Sequence, residues 1–111
     1  MNDAAQSANH CTLFRLEESA VDSTNRDRIA TALKSAAPTS IPLIIDWTDV
    51  VYVDFLGLES LFDCLLERSA PVAFFGANRE VEHLFRRLQI LAVLPTAKTA
   101  DEASRLIGDR R

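Results

Sequence analysis

The chain has few of the residues that form the commonest phosphate-binding and hydrolytic sites. Its 111 residues include three glycines, at positions 57, 76 and 108. With this spacing they form neither a G-x-x-x-x-G-K-[ST] loop nor a G-x-G-x-x-G loop, so a glycine-rich cradle for nucleotide phosphates is not indicated. No serine stands in a G-x-S-x-G sequence, so a hydrolase nucleophile of that type has no support either.

Cysteine and histidine are also scarce. Cys11 and Cys64 have no C-x-x-C partner, and His10 and His83 are far apart in the sequence. These spacings do not predict a zinc site. Because the first residues contain no signal sequence, we expect reduced thiols and a cytoplasmic protein.

Positive charge and long apolar runs are limited as well. The chain has 12 basic and 16 acidic residues, a formal net charge of −4. This balance argues against nucleic acid or an anionic membrane surface as the main partner. No run approaches the roughly 18 apolar residues of a membrane span, so we expect no membrane insertion.

The hydrophobic residues that are present, 48% of the chain, suffice for one core. We predict a flexible leader over residues 1–9 and a single domain over residues 10–111.

Short apolar runs alternate with amphipathic segments along this domain. Strands are predicted at residues 12–17, 43–47, 72–75 and 91–94. The helices are expected to start at side chains that can cap a helix, namely Asp22 or Ser23, Asp54, Asn78 and Thr99. The order β-α-β-α-β-α-β-α predicts an α/β fold with a partly parallel sheet and helices packed on it.

Three aspartates stand near predicted strand ends, at Asp46, Asp49 and Asp54. One interpretation is a divalent metal site or an aspartyl phosphoacceptor, as in a receiver domain. A receiver also needs a lysine after a late strand, and Lys98 is poorly placed for this. We favour the other interpretation, in which Asp46 and Asp49 satisfy turn backbone and Asp54 caps a helix, and we predict no metal or cofactor.

The most informative stretch covers residues 43–66. A short apolar strand ends in Asp46, an apolar run follows at residues 50–53, and Asp54 and Gly57-Leu58 then lead into an amphipathic helix. This stretch resembles the STAS family, named for sulfate transporters and anti-sigma factor antagonists. In that family a strand ending in aspartate is followed by an apolar segment, then Asp-Ser-Ser-Gly-Leu or a close variant, then a helix.

The resemblance implies a STAS-type, SpoIIAA-like fold with a mixed, partly parallel four- to five-stranded sheet and about four helices. It also implies a non-enzymatic regulatory domain of the anti-sigma factor antagonist type. In the family the partner of such a domain is often an anti-sigma factor with a kinase fold. The residues that it places at the partner-binding surface are Asp54, Phe55, Leu56, Gly57, Leu58, Ser60 and Leu61.

Phe55 and Leu56 stand where the family usually has serine or threonine. Many members are regulated by phosphorylation there, and these two side chains offer no hydroxyl. Two interpretations stay open: both side chains fold inward as the first helical turn, or at least one lies on the surface and contacts a partner. Phe55 is the preferred contact.

The resemblance also leaves other functions open. Some small STAS proteins of similar size bind the ATPase of a lipid-trafficking ABC transporter, and some STAS domains bind nucleotides. An accessory transporter subunit and a small-ligand or nucleotide sensor are therefore the alternatives. The sequence leaves a homodimer open too.

Overall fold

The short apolar runs form the strands of a central sheet. The computed structural model of the protein describes residues 4–8, 11–89 and 94–108. In chain order the strands are β1 (Ala4–Ala8), β2 (Cys11–Arg15), β3 (Ala20–Val21), β4 (Leu43–Asp46), β5 (Tyr52–Val53), β6 (Val72–Phe75) and β7 (Thr96–Ala97). The main sheet has the order β1-β2-β4-β6-β7, and β3 pairs with β5 in a separate two-stranded sheet. Strand β1 is antiparallel to β2, whereas β2, β4, β6 and β7 are parallel.

Four helices in the described ranges connect these strands. They are α1 (Arg26–Ala36), α2 (Phe55–Leu66), α3 (Arg79–Arg87) and α4 (Ala100–Gly108). Helix α4 starts at the predicted capping sequence, where Thr99 Oγ1 accepts a hydrogen bond from the Glu102 amide at 3.1 Å. The predicted mixed α/β fold, with a partly parallel sheet and about four helices, is confirmed.

Helices cover both faces of the sheet, because successive side chains of a strand point to opposite sides. In β4, Ile45 joins the larger core, to which α1, α2 and α3 contribute. Its neighbour Ile44 joins a smaller core on the other face, with Ala103 and Ile107 of α4. This burial on both faces explains why β4 is almost continuously apolar.

Aromatic side chains hold α2 and α3 against the sheet. Trp47, directly after β4, is fully buried. Its ring centroid lies 5.0 Å from that of Phe85 in an edge-on contact and 5.2 Å from that of Phe74. Phe62 of α2 stacks on Phe74 at 5.9 Å. Such pairs contribute about 0.5–1.5 kcal/mol beyond the area they bury, so this cluster fixes the two helices relative to β6.

The structure differs from the sequence prediction at four short strands. Residues 4–8 form β1 within the segment predicted as a flexible leader, because their backbone pairs with β2 although small and polar side chains give no apolar pattern. Strands β3, β5 and β7 have two residues each, too few for a periodic signal. Residues 91–93 of the strand predicted at 91–94 lie outside the described residues. The boundary between leader and domain stays a prediction.

Helix α1 begins later than predicted. Asp22 does not cap it, because Asp22 Oδ1 accepts hydrogen bonds from the amide and hydroxyl of Thr24, at 2.9 and 2.6 Å, and so forms a turn. The N-cap is Asn25, which donates through its side chain to the Ala20 carbonyl at 2.8 Å. Local side-chain hydrogen bonds of this kind compete with helix capping, and here they shift the start of the helix.

Candidate functional site

Helix α2 starts at an aspartate, as predicted. Asp54 Oδ1 accepts a hydrogen bond from the Gly57 amide at 2.8 Å, so its carboxylate satisfies one of the unpaired N–H groups of the first turn. The Asp54 amide donates to the Val21 carbonyl at 3.0 Å. Asp54 therefore fixes the start of the helix and ties it to β3.

Gly57 lets this first turn pack directly on neighbouring backbone. A Cβ atom at Gly57 would lie 2.6 Å from the Cα and amide nitrogen of Asp22 and from the carbonyl carbon of Val21. Backbone atoms cannot move aside as a flexible side chain can. Of the two roles that a glycine has at such a junction, close packing and a special backbone angle, the structure shows close packing.

Four large apolar side chains near the start of α2 face outward. Val51 is 60% exposed, Tyr52 56%, Phe55 56% and Leu56 47%. We call these four residues the apolar patch. They lie within six consecutive residues, across β5 and the first turn of α2. The exposure of Phe55 and Leu56 rules out the interpretation in which both fold inward.

The other residues expected at the partner-binding surface are less accessible. Leu58 and Leu61 belong to the core, and Gly57 is buried beneath the first turn. A partner docking on the folded domain cannot reach the two leucine side chains, so we remove them from the proposed contact surface. Asp54 and Ser60 are half-buried. Their role in binding stays a prediction, as does that of Phe55 and Leu56.

Val51 and Tyr52 were missed by the sequence analysis as surface residues. The apolar run at residues 50–53 does not indicate which of its side chains are exposed, and Val50 is buried. Within the ranges that the structure describes, β5 pairs only with the two-residue strand β3 and lies outside the main sheet, so the next two side chains are exposed. No signal in the sequence marks this separation.

A shallow groove of about 90 Å³ continues from the apolar patch toward α3. Its lining residues are Val51, Tyr52, Val53, Glu80, Val81 and Leu84. Among these six, only Glu80 is charged. The groove therefore joins the patch to an acidic side chain on the neighbouring helix.

The aspartates near the strand ends have structural roles. Asp46 Oδ1 accepts hydrogen bonds from the Thr48 amide at 2.9 Å and the Thr48 hydroxyl at 2.5 Å, which closes a turn. Asp49 instead pairs with Arg15, with its Oδ2 2.9 Å from Arg15 Nη2. The predicted turn and capping roles of Asp46 and Asp54 are confirmed, whereas Asp49, which was also expected to satisfy turn backbone, pairs with Arg15 instead.

The far end of α2 forms a second, structural junction. Arg68 donates to the carbonyls of Ala37, Pro38 and Ile41, at 3.2, 2.7 and 2.7 Å, and so satisfies backbone acceptors after α1. Burial lowers the pKa of this guanidinium and raises the pKa of the neighbouring Cys64 thiol. These hydrogen bonds tie this end of the helix to the segment after α1, as the Asp54 amide ties the start of the helix to β3.

The fold and the site define a small α/β domain with helices on both faces of the sheet. The start of helix α2 packs closely on neighbouring backbone at Gly57 and carries part of the apolar patch. The family model of the STAS domain matches residues 4–103. The chain therefore belongs to the STAS domain family, as its sequence suggests.

Solved structures share this fold over nearly the whole chain. An anti-sigma factor antagonist from Mycobacterium paratuberculosis has a TM-score of 0.84 and 13% identity, covering 96% of this chain and 92% of that chain. An anti-sigma-factor antagonist (STAS) domain protein from Planctomyces limnophilus has a TM-score of 0.80 and 17% identity, covering 95% of this chain and 97% of that chain. The murine Solute Carrier 26 family member A9 anion transporter has a TM-score of 0.78 and 12% identity, and the match covers 95% of this chain and 19% of that chain. At these identities the similarity shows the fold alone.

The comparison with curated proteins gave no match. In the ranges that the structure describes, no helix is both long and apolar enough to cross a membrane.

Proposed function

We propose that the protein is a non-enzymatic, cytoplasmic regulatory domain that acts as an anti-sigma factor antagonist by binding an anti-sigma factor through the apolar patch. The observation that carries this proposal is the exposure of Phe55 and Leu56, 56% and 47%, in the loop where the family resemblance implies partner contact. Two of the structural neighbours are named as antagonists of this type.

Phe55 is the residue best suited to anchor such a complex. An aromatic side chain has few rotatable bonds, so it loses little entropy when a partner pocket covers it. Residues of this kind, near the centre of an interface, provide a large share of the binding free energy. Because Phe55 makes the first turn of a capped helix, its backbone is already held in place before binding.

Binding through this loop is not switched by phosphorylation at positions 55 and 56. Phenylalanine and leucine offer no acceptor hydroxyl, and the nearest hydroxyls along the chain are those of Tyr52 and Ser60. Activity then depends on the amount of the protein and on competition for its partner.

A comparative pull-down tests the proposal. Immobilised wild-type protein and its Phe55→Ala variant are incubated with an extract of the source cells, and the retained proteins are identified by mass spectrometry. We expect wild type to retain an anti-sigma factor with a kinase fold. The Phe55→Ala variant should bind it with a free energy of binding weaker by roughly 2 kcal/mol or more. Arg79→Ala is the matched control, since Arg79 is the exposed first residue of another capped helix.

Two results would contradict the proposal. Equal retention by wild type and Phe55→Ala would show that the patch is not the contact surface. Selective retention of a transporter ATPase would replace the anti-sigma factor by the alternative partner.

Phosphorylation is tested with the purified anti-sigma kinase and ATP. We expect wild-type protein to gain no phosphoryl group within residues 54–58, whereas Leu56→Ser restores a hydroxyl there and serves as the comparison. Intact-mass and peptide analysis that locates a stoichiometric phosphoryl group within these residues of the wild type would overturn this part of the proposal.

A further inference from the structure

We infer that the partner presents an apolar pocket bordered by lysine or arginine side chains, and that these cations contact Glu59 and Asp63 on the exposed face of α2. The inference rests on the proposed function, since it concerns the same surface, and it names the chemistry of the partner's side.

The exposed face of α2 continues from the apolar patch into a row of carboxylates. Leu56, Glu59 and Asp63 are all exposed and follow one another at spacings of three and four residues, which places them on one side of the helix. At a rise of 1.5 Å per residue, Glu59 lies about 4.5 Å and Asp63 about 10.5 Å beyond Leu56 along the helix axis. A partner that covers Leu56 therefore reaches both carboxylates.

These two carboxylates have no cation of their own in the described part of the chain. Residues 50–66 include three acidic residues and no lysine or arginine. The ion pairs found within the described ranges join other residues, and none uses Glu59 or Asp63. Glu67, one turn further on, differs because it shares a cavity with Lys34 and Arg68.

Carboxylates beside an apolar anchor favour a cationic partner. Complementary charges around an interface speed association and reject partners of the wrong sign. Glu80 extends the same sign to the groove on the other side of the patch. Nucleic acid and anionic membranes carry the wrong charge for this surface.

A second copy of the chain fits poorly for the same reason. In a twofold-symmetric dimer the same surface patch lies on both subunits. A dimer through the apolar patch would thus bring the row of carboxylates close to its own copy, with no basic residue from α2 to offset the repulsion.

The test uses the protein that wild type retains and Phe55→Ala does not, purified and titrated against both. At low salt, about 50 mM, we expect Glu59→Lys to raise the Kd by about tenfold or more and Glu59→Gln to have a smaller effect. Wild-type affinity should fall as salt increases, and that of Glu59→Lys should fall less. Asp101→Lys makes the same charge change on exposed α4, which packs on the opposite sheet face, and should leave the Kd within about twofold.

The outcomes separate this inference from the proposed function. Loss of binding in Phe55→Ala, together with equal affinities for Glu59→Lys and Asp101→Lys, would overturn the cationic border and leave the apolar contact standing. If no protein is retained selectively, both fail. A wild-type dimer in light scattering that Phe55→Ala dissociates, or wild-type binding to phosphatidylserine vesicles, would identify a different occupant and overturn the inference.

Discussion

Helices α2 and α3 begin in the same way. Asp54 accepts a hydrogen bond from the Gly57 amide at 2.8 Å, and Asn78 accepts one from the Val81 amide at 2.7 Å. In each case the cap lies at the end of a connection from the sheet, and the third helical residue is buried. Both starts are local solutions of the same problem, the unpaired N–H groups of a first turn.

The two first turns nevertheless present different side chains to solvent, apolar in α2 and charged in α3. Phe55 and Leu56 of α2 and Arg79 and Glu80 of α3 occupy the same two exposed positions. Charged residues at these positions are compatible with the fold, as α3 demonstrates. A capped helix start therefore does not itself require apolar residues at these two positions, and this difference supports a binding role for them in α2.

The largest loss of folding stability should come from removing the aromatic ring of Phe85 on α3, and removing that of Phe55 on α2 should cost far less. Phe85→Ala removes a fully buried ring that contacts Trp47 and Phe74, and should lower the free energy of unfolding by about 3–5 kcal/mol. Phe55→Ala removes an exposed ring and should change it by less than about 1 kcal/mol. Urea denaturation measures both. A large loss in Phe55→Ala would place this ring in the core and end its role as a contact.

Position 57 should be the next most sensitive. The third residue of α3 is Val81, whereas Gly57→Val in α2 would drive side-chain atoms into the backbone of Asp22. We expect a loss of up to about 3 kcal/mol in the free energy of unfolding, as at overpacked sites. Glu59→Val, at an exposed position of the same helix, controls for placing a β-branched side chain in α2. Equal denaturation midpoints for the two variants would contradict the close contact.

The two caps should contribute similarly. Asp54→Ala and Asn78→Ala each remove one side-chain acceptor from a first turn, and each should lower the free energy of unfolding by about 1 kcal/mol. Asp54→Asn should preserve most of this contribution, whereas Asn78→Asp also loses the hydrogen bond that Asn78 Nδ2 donates to the Val50 carbonyl at 3.3 Å and should preserve less of it. If Asp54→Asn costs as much as Asp54→Ala, the carboxylate has a role beyond capping.

The smallest effect concerns the helix ends. Gln89, just after α3, has a φ of 61°, a left-handed conformation that favours glycine. Gln89→Gly should raise the free energy of unfolding by about 0.5–1 kcal/mol. Glu67, after α2, has a φ of −79°, so Glu67→Gly should lower it by a similar amount. Thermal melting of the two variants should thus show shifts of opposite sign, and shifts of one sign would contradict the assigned backbone angles.

The sequence predicts the capped helices and the buried strands well, because both have local patterns. Asp54 and Asn78 are recognisable as caps, and β4 and β6 as apolar runs of three and four residues. The family could be identified for the same reason, since the Asp54 to Leu58 loop is a contiguous stretch.

The surface of the site was harder to predict. Val51, Tyr52 and Leu58 are all apolar, yet the first two are exposed and Leu58 is buried. Which of these contacts the core depends on where β5 lies relative to the main sheet, and that is a property of tertiary packing. The same limit applies to β3 and β7, which exist because a neighbouring strand pairs with them.

The burial of Trp47 determines what the intrinsic fluorescence of this protein reports. The chain has one tryptophan and one tyrosine. Trp47 lies fully enclosed between Phe74 and Phe85, whereas Tyr52 lies on the apolar patch. Tryptophan emission should therefore follow unfolding and change little when a partner binds. Quenching of tyrosine emission should follow binding, so one unlabelled sample provides separate optical signals for folding and for complex formation.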